Sequence, residues 1–207
     1  MPTQDVLDLL LAEAGLIWGE QEHGLLGDNT VLAVARTVDG RLATRAGCRE
    51  LSDDSQPLTS GCVSFLVPDS LPERSIPAEL MLRHHDDAGW LTDRAPADWS
   101  PKRWQDLLGG GLGPWAALTD AGGVVTLCHS ARLSAIGAEA GVRTELTHRG
   151  RGLAAVVVTG WAVQLRERRI PLYYSASDGN SASLRAATTL GLTPLGRLWR
   201  VFVDTPA

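Results

Sequence analysis

The sequence predicts an α/β (α+β) chain in which a mixed sheet is flanked by helices, and three observations carry that expectation. Short apolar segments follow one another around tight-turn residues, the pattern of an antiparallel meander. After residue 153 the period becomes helical, then strand-like, helical and strand-like again. The chain is also large enough to bury a core, with 207 residues of which 44% are hydrophobic and 21% charged.

Val6, Leu9 and Leu10 recur at helical spacing behind Thr3, which predicts a helix over residues 4–15 with Thr3 as its cap. VLAVARTV and RLATRAG flank Asp39-Gly40, a pair suited to a hairpin turn. CVSFLVP, residues 62–68, reads as a short strand and leads into a proline-rich passage that runs to Pro77. From there to Gly113 the signals are mixed: a helical AELMLRHH, a loop rich in Pro and Asp, a short helix around Trp104 to Leu108, and GGGLG as a joint.

Beyond the joint the pattern is regular. WAALTD and VVTLCHSARLS are strands around the turn at Asp120 to Gly123, and AEAGVRTEL follows them, with a strand expected over Gly141 to Leu146. Leu153, Val156, Val157, Trp161 and Leu165 form one stripe of an amphipathic helix that ends in the basic RERR. IPLYYSAS is a buried strand, a helix runs from about Ser181 to Leu190 and closes at Gly191, and LWRVFV is the last strand.

Charge and composition exclude several partners. The net charge of −5 and pI near 5.5, with arginines scattered rather than in runs, argue against nucleic acid. No apolar run reaches the roughly 18 to 20 residues of a membrane span, and MPTQDVLDLLLAEAG lacks the basic flank of a signal peptide, so a cytoplasmic protein is expected. Cys48, Cys62 and Cys128 are odd in number, far apart and without a C-x-x-C pair, against a disulfide framework or a zinc site. His84-His85-Asp86-Asp87 reads as a polar loop rather than a metal site, because adjacent side chains diverge. Trp99, Trp104 and Trp115 more readily seal a core than line an acceptor pocket.

The stretch THRGRGLA, Thr147 to Ala154, carries the chemistry. A glycine loop that opens a helix offers unpaired N–H groups to an anion, and a phosphate is the first expectation. A Walker loop is excluded, since no Lys-Ser or Lys-Thr follows. The dinucleotide pattern G-x-G-x-x-A is met, with Glu167 or Asp178 as the acidic partner, but it needs a parallel βαβ unit where the preceding strands read as a meander. The third pattern is R-x-x-G-x-A, met by Arg149, Gly152 and Ala154. Farther on, DGNSASLRAATTLGL places Asn180 ahead of Leu190-Gly191.

These two segments together resemble the GNAT superfamily of acyl-CoA-dependent N-acyltransferases, over about residues 113–203. The resemblance implies a mixed, largely antiparallel sheet whose central strands splay to form a coenzyme A cleft. Residues 111–207 would form the acyl-CoA-binding core. Residues 1–110 carry little of the pattern and would either complete the sheet or form a degenerate half domain. Amides from Gly150 through Arg151, Gly152, Leu153 and Ala154 would hold the pyrophosphate, with Arg151 adding charge at the rim. Arg149 would either join them or pin the loop. Val142 and Thr144 would offer backbone groups to the pantetheine as to an added strand. Asn180 would bond the same arm or cap its helix, and Ser183 could do either.

The implied reaction moves an acetyl or short acyl group from acetyl-CoA, the co-substrate, to the amine of a small-molecule or peptide acceptor, without a metal. Glu139 is the candidate base and His129 an alternative. Where many members carry a proton-donating tyrosine, this chain has Ala187, so Tyr173 or Tyr174 would substitute. A CoA-binding sensor that has lost turnover is the competing class, and an NAD(P)-binding protein a weaker one. A monomer or homodimer is expected.

Overall fold

The computed structural model describes residues 5–19, 30–47 and 57–203. Its helices are α1 (Val6–Trp18), α2 (Ala88–Leu91), α3 (Pro101–Leu108), α4 (Leu153–Leu165) and α5 (Ser181–Leu190). Its strands are β1 (Thr30–Thr37), β2 (Leu42–Ala46), β3 (Pro57–Leu66), β4 (Met81–Arg83), β5 (Trp115–Asp120), β6 (Gly123–Leu133), β7 (Ala138–Thr144), β8 (Leu172–Ser177) and β9 (Thr193–Val203). The strands form one sheet in the order β2-β1-β9-β3-β8-β7-β6-β5-β4. Every recorded pairing is antiparallel except that of β7 with β8, the two strands joined through α4. A parallel pair needs such a crossover, whereas the antiparallel neighbours can turn back directly.

Alternation along the strands sorts side chains onto two faces. Ala116 and Leu118 of β5 face a core built on α4 and α5, with Val157, Trp161 and Leu190 among its buried members. Trp115 and Ala117 face the other way, onto Leu91, Trp104 and Leu107 of α2 and α3. On that same side α1 lays Leu9, Leu10 and Ala14 against Ala35, Tyr173 and Leu198. The three tryptophans near the glycine joint therefore do seal a core, and the Trp104 indole N–H donates to Leu91 O at 2.9 Å.

Most elements fall where the sequence put them, and the exceptions have physical causes. The cap of α1 is Asp5, whose carboxylate accepts from the Leu7 N–H at 2.7 Å and pairs with Arg41; Thr3 lies outside the described residues, as does Cys48. The helix also continues to Trp18, beyond the expected end.

AELMLRHH is not a helix. A turn closed by Leu80 N–H on Pro77 O releases Met81–Arg83 as an edge strand on β5, with Met81 opposite Thr119 and Arg83 opposite Ala117. Sheet pairing outweighs the modest helical preference of these residues. The following polar stretch is a short helical turn, His85–Asp87, in which Asp87 accepts from the His84 N–H at 3.0 Å.

The helix α4 is buried well beyond one stripe. Ala155, Val158, Gly160 and Ala162 are buried along with the predicted positions, because α4 lies across β5, β6 and β7 with α5 beside it. β7 ends at Thr144 instead of Leu146, since Leu146–His148 wind into a single helical turn.

Candidate active site

The site begins where two strands part. β7 and β8 pair only at Ala138 with Leu172 and at Glu139 with Tyr173, while β7 stays paired with β6 as far as Thr144. The Glu145 N–H donates to Val125 O on the β6 side at 2.9 Å. Backbone direction alternates along a strand, so Val142 and Thr144 point their main-chain groups into the gap toward β8. Arg149 already donates from Nε to Thr144 O at 3.2 Å, which makes it a pin on the loop.

The glycine loop closes one end of this gap. Gly150 and Gly152 sit at φ 78° and 73°, left-handed values that a side chain would strain, and a Cβ on either would meet no protein atom within 4 Å. Gly152 is the N-cap of α4 and brings no capping side chain. Consequently the N–H groups of Gly150, Arg151, Gly152, Leu153 and Ala154 have no acceptor among the described residues, and the first intrahelical-type bond is from Ala155 N to Gly152 O at 3.1 Å. Five unsatisfied donors at the positive end of a 13-residue helix make a strong local demand for an anion.

Helix α5 forms the facing wall. Asn180 Oδ1 accepts from the Ser183 N–H at 3.0 Å, so the cap reading of Asn180 is realised, with its side-chain NH2 left as a donor. Ser183 Oγ lies 2.9 Å from the hydroxyl of Tyr174, a residue on β8. Gly191 ends the helix in the left-handed conformation at φ 66°, as its sequence position predicted.

Between these walls is a cavity of about 370 Å3. Val142, Thr144, Arg149, Gly150, Gly152, Leu153, Ala154, Asn180 and Ser183 all line it. Arg151 does not; its guanidinium turns away to pair with Glu79. The sequence reading missed His148, Arg185 and Thr189, which also line the cavity, and it offered Tyr174, another lining residue, only as the alternative to Tyr173. Ala182, Arg185, Ala186 and Thr189 recur at three- and four-residue steps, a face of α5 legible from the helix period once the cap at Asn180 was placed.

The three residues singled out for catalysis lie on the opposite, α1-bearing side of the sheet. Glu139 is buried, takes an ion pair from Arg132 Nη1 at 2.8 Å, and accepts a hydrogen bond from Ser175 Oγ. Tyr173 packs beneath α1 with a hydroxyl that has no partner among the described residues, and burial pushes its pKa upward. His129 stacks edge-on against Trp99, with Nδ1 3.0 Å from Gly141 O and Nε2 3.4 Å from Arg103. Burial, followed by the neighbouring Arg103 charge, lowers its pKa to about 4. Of the two tyrosines it is Tyr174, not Tyr173, that reaches the cavity. Ala187 is buried in the α4 core, so its methyl group faces packing and not the cleft.

Among the described residues no cluster of three or more His, Cys, Asp or Glu could hold a metal, and no helix is long and apolar enough to cross a membrane. No family model and no curated protein sequence matches the chain. Solved structures do match in fold. A GNAT-family acetyltransferase structure from Novosphingobium aromaticivorans aligns at TM-score 0.53 and 16% identity, over 77% of this chain and 73% of its own. A second, from Colwellia psychrerythraea, aligns at TM-score 0.52 and 15% identity, over 73% of this chain and 59% of that one. A Drosophila protein aligns at TM-score 0.53 and 14% identity, over 72% and 52%. This chain thus spans little more than half the length of two of the three. The sheet flanked by helices, open between its central strands, is the GNAT fold.

Proposed function

We propose that this protein is an acyl-CoA-dependent N-acyltransferase that moves an acetyl or short acyl group to the amine of a small-molecule or peptide acceptor. The observation that carries the reading is the set of four N–H groups, of Gly150, Gly152, Leu153 and Ala154, unsatisfied by the described residues and belonging to residues that line a cavity continuous with the open edge of β7. A diphosphate meets that demand without the entropy cost of ordering long side chains. Arg185 lines the same cavity and adds positive charge, and His148 adds a ring N–H, for further phosphate oxygens. Val142, beyond the last β7–β8 pair, offers main-chain groups to an amide-bearing arm, so the cofactor would lie in the gap as a short added strand.

The thioester co-substrate supplies the acyl group and the leaving thiolate. Residues of the chain then have separable tasks. Glu139 accepts the proton that the attacking amine must lose, its carboxylate held in place by Arg132 and Ser175. It stands on the α1 side of the sheet while the cavity opens on the α4 side. The gap between β7 and β8 is where an acceptor from one side meets an acyl group from the other. Tyr174 is the candidate donor to the departing thiolate, in place of Tyr173 and of the absent tyrosine at Ala187. His129, packed and neutral near pH 7, is left without a part in the proton transfer.

The second reading, a CoA-binding module without turnover, is favoured by two observations: Ala187 is in the core, and the Tyr174 hydroxyl is already engaged by Ser183. Calorimetry with CoA and a thiol-release assay with acetyl-CoA and a panel of amines separate the readings. Binding with release supports the enzyme, binding without release across the panel supports the module, and no binding of CoA removes both.

A further inference from the structure

A second cavity, of about 450 Å3, lies at the other end of α4, where the helix ends over the last residues of β3 and the first of β8. With about 1.5 Å of rise per residue, the 13 residues of α4 separate the two cavities by roughly 20 Å. Leu66, Val67 and Leu172 contribute its apolar walls, and Arg166, Arg169 and Asp69 its charged ones. Val67 N–H donates to Leu172 O at 2.8 Å, so the backbone that shapes the hollow is tied together.

The two arginines distinguish this hollow from a packing defect. Neither guanidinium makes an ion pair or hydrogen bond among the described residues, whereas Arg149 and Arg151 at the opposite end of the helix are both engaged. Cations near a helix C-terminus are favourable in themselves. That preference does not account for an apolar hollow of ligand size beneath them. Arg169 ends the helical turn Arg166–Arg168 in the left-handed conformation, φ 53°, and its N–H donates to Arg166 O at 3.1 Å, which fixes the backbone positions of the two arginines relative to each other.

We infer that this cavity binds a small organic monocarboxylate, its apolar body against the Leu66, Val67 and Leu172 walls and its carboxylate between Arg166 and Arg169. A guanidinium pair matches a planar carboxylate. Asp69 on the wall of the same hollow disfavours a multiply charged anion such as phosphate, which also has nothing to place against the apolar surface. This site does not depend on the acyltransferase reading, and its test does not use acylation.

The 15N-labelled full chain is titrated with hexanoate, with hexanol and with inorganic phosphate, following amide shifts. Hexanoate is expected to give saturable shifts at residues 66–69 and 166–172 and to leave 150–154 unmoved. Hexanol and phosphate are expected to bind at least tenfold more weakly. The double variant Arg166→Gln, Arg169→Gly should lose at least tenfold in hexanoate affinity while folding normally, because both side chains are exposed and glycine suits the 53° φ. Absence of saturable shifts, equal binding of hexanol or phosphate, shifts at residues 150–154 instead, or undiminished affinity in the double variant would each overturn the site.

Discussion

The hydroxyl of Tyr174 lies 2.9 Å from Ser183 Oγ, and this contact ties β8 to the first turn of α5 across the mouth of the cleft. Burial raises the phenol above its ordinary pKa while the Ser183 bond opposes the shift, so Tyr174 carries its proton at neutral pH. Tyr173, one residue earlier, points through the other face of the sheet because it stands opposite Leu66 of β3 and beside Glu139 of β7.

The two tyrosines should therefore respond differently to loss of the hydroxyl. Tyr174→Phe is expected to lower kcat by about a hundredfold or more, the range of general-acid contributions, with CoA affinity nearly unchanged. It also forfeits a hydrogen bond that contributes about 1 kcal/mol. Tyr173→Phe should leave the rate at the wild-type level and hold or raise stability, since the hydroxyl it deletes is buried without a partner. Steady-state kinetics on both variants, with calorimetry for CoA, checks the pair of outcomes.

Gly152→Asp should cost CoA affinity by more than about a hundredfold. It sets a carboxylate in front of the N–H groups that would hold the diphosphate, and it strains a left-handed residue at φ 73°. The added Cβ meets no protein atom within 4 Å, so the circular-dichroism spectrum should match wild type. Gly152→Ala, with the same strain and no charge, should lose far less. Equal affinities for wild type and the aspartate variant would remove the loop from the site.

How much of this was legible in advance follows from how local each determinant is. Gly150, Gly152, Asn180 and Gly191 are set by backbone conformation within a few residues, and the sequence shows each of them directly. The side on which a tyrosine emerges depends on register with a strand more than a hundred positions away, as Leu66 opposite Tyr173 illustrates, and no short pattern encodes it. The edge strand β4 likewise exists because β5 offers it a partner. Glu13 is the clearest loss. In VLDLLLAEAG it reads as an ordinary helix acid, yet it is buried against Ser64, 51 positions away.

Glu139→Gln should lower kcat and flatten the rise of rate with pH while leaving CoA affinity intact, because Glu139 lies outside the cofactor cavity. The amide can still accept from Ser175, so loss of the Arg132 ion pair is the main structural change. A pH–rate curve superimposable on that of wild type would take Glu139 out of the mechanism.

His129 should stay neutral from pH 8 down to about pH 5, as its pKa is lowered to about 4, first by burial and then by Arg103. Its folded value lies below the unfolded one near 6.5, so the unfolded chain takes up the proton first, and stability falls as pH drops from about 6.5 toward 4. His129→Gln should lessen that acid lability. Imidazole proton shifts followed by NMR would show a midpoint well under 6 in the folded protein, and a midpoint near 6.5 would contradict the packing described.

Glu13 acts at the other end of the pH range. Its side chain is wholly buried under α1, Oε2 accepts from Ser64 Oγ, and Oε1 has no partner among the described residues. Burial, reinforced by the charge of Glu139 and opposed by the Ser64 bond, raises its pKa from 4.5 to about 8. Cys62 and Tyr173 face the same group and are themselves pushed up, Cys62 to about 12, so neither supplies a compensating charge. Since the folded value exceeds the unfolded one, the folded chain keeps a proton that the unfolded chain releases. The contribution is complete below about pH 4.5 and is lost as pH rises toward 8. Glu13→Gln removes the titration while retaining an acceptor for Ser64 and adding an NH2 that can serve the unsatisfied side. The variant should melt close to wild type at pH 4.5 and higher by on the order of several degrees at pH 8, the gap widening steadily between them. Thermal melts across that interval decide it, and a gap that does not change with pH would mean that Glu13 titrates as a solvated carboxylate.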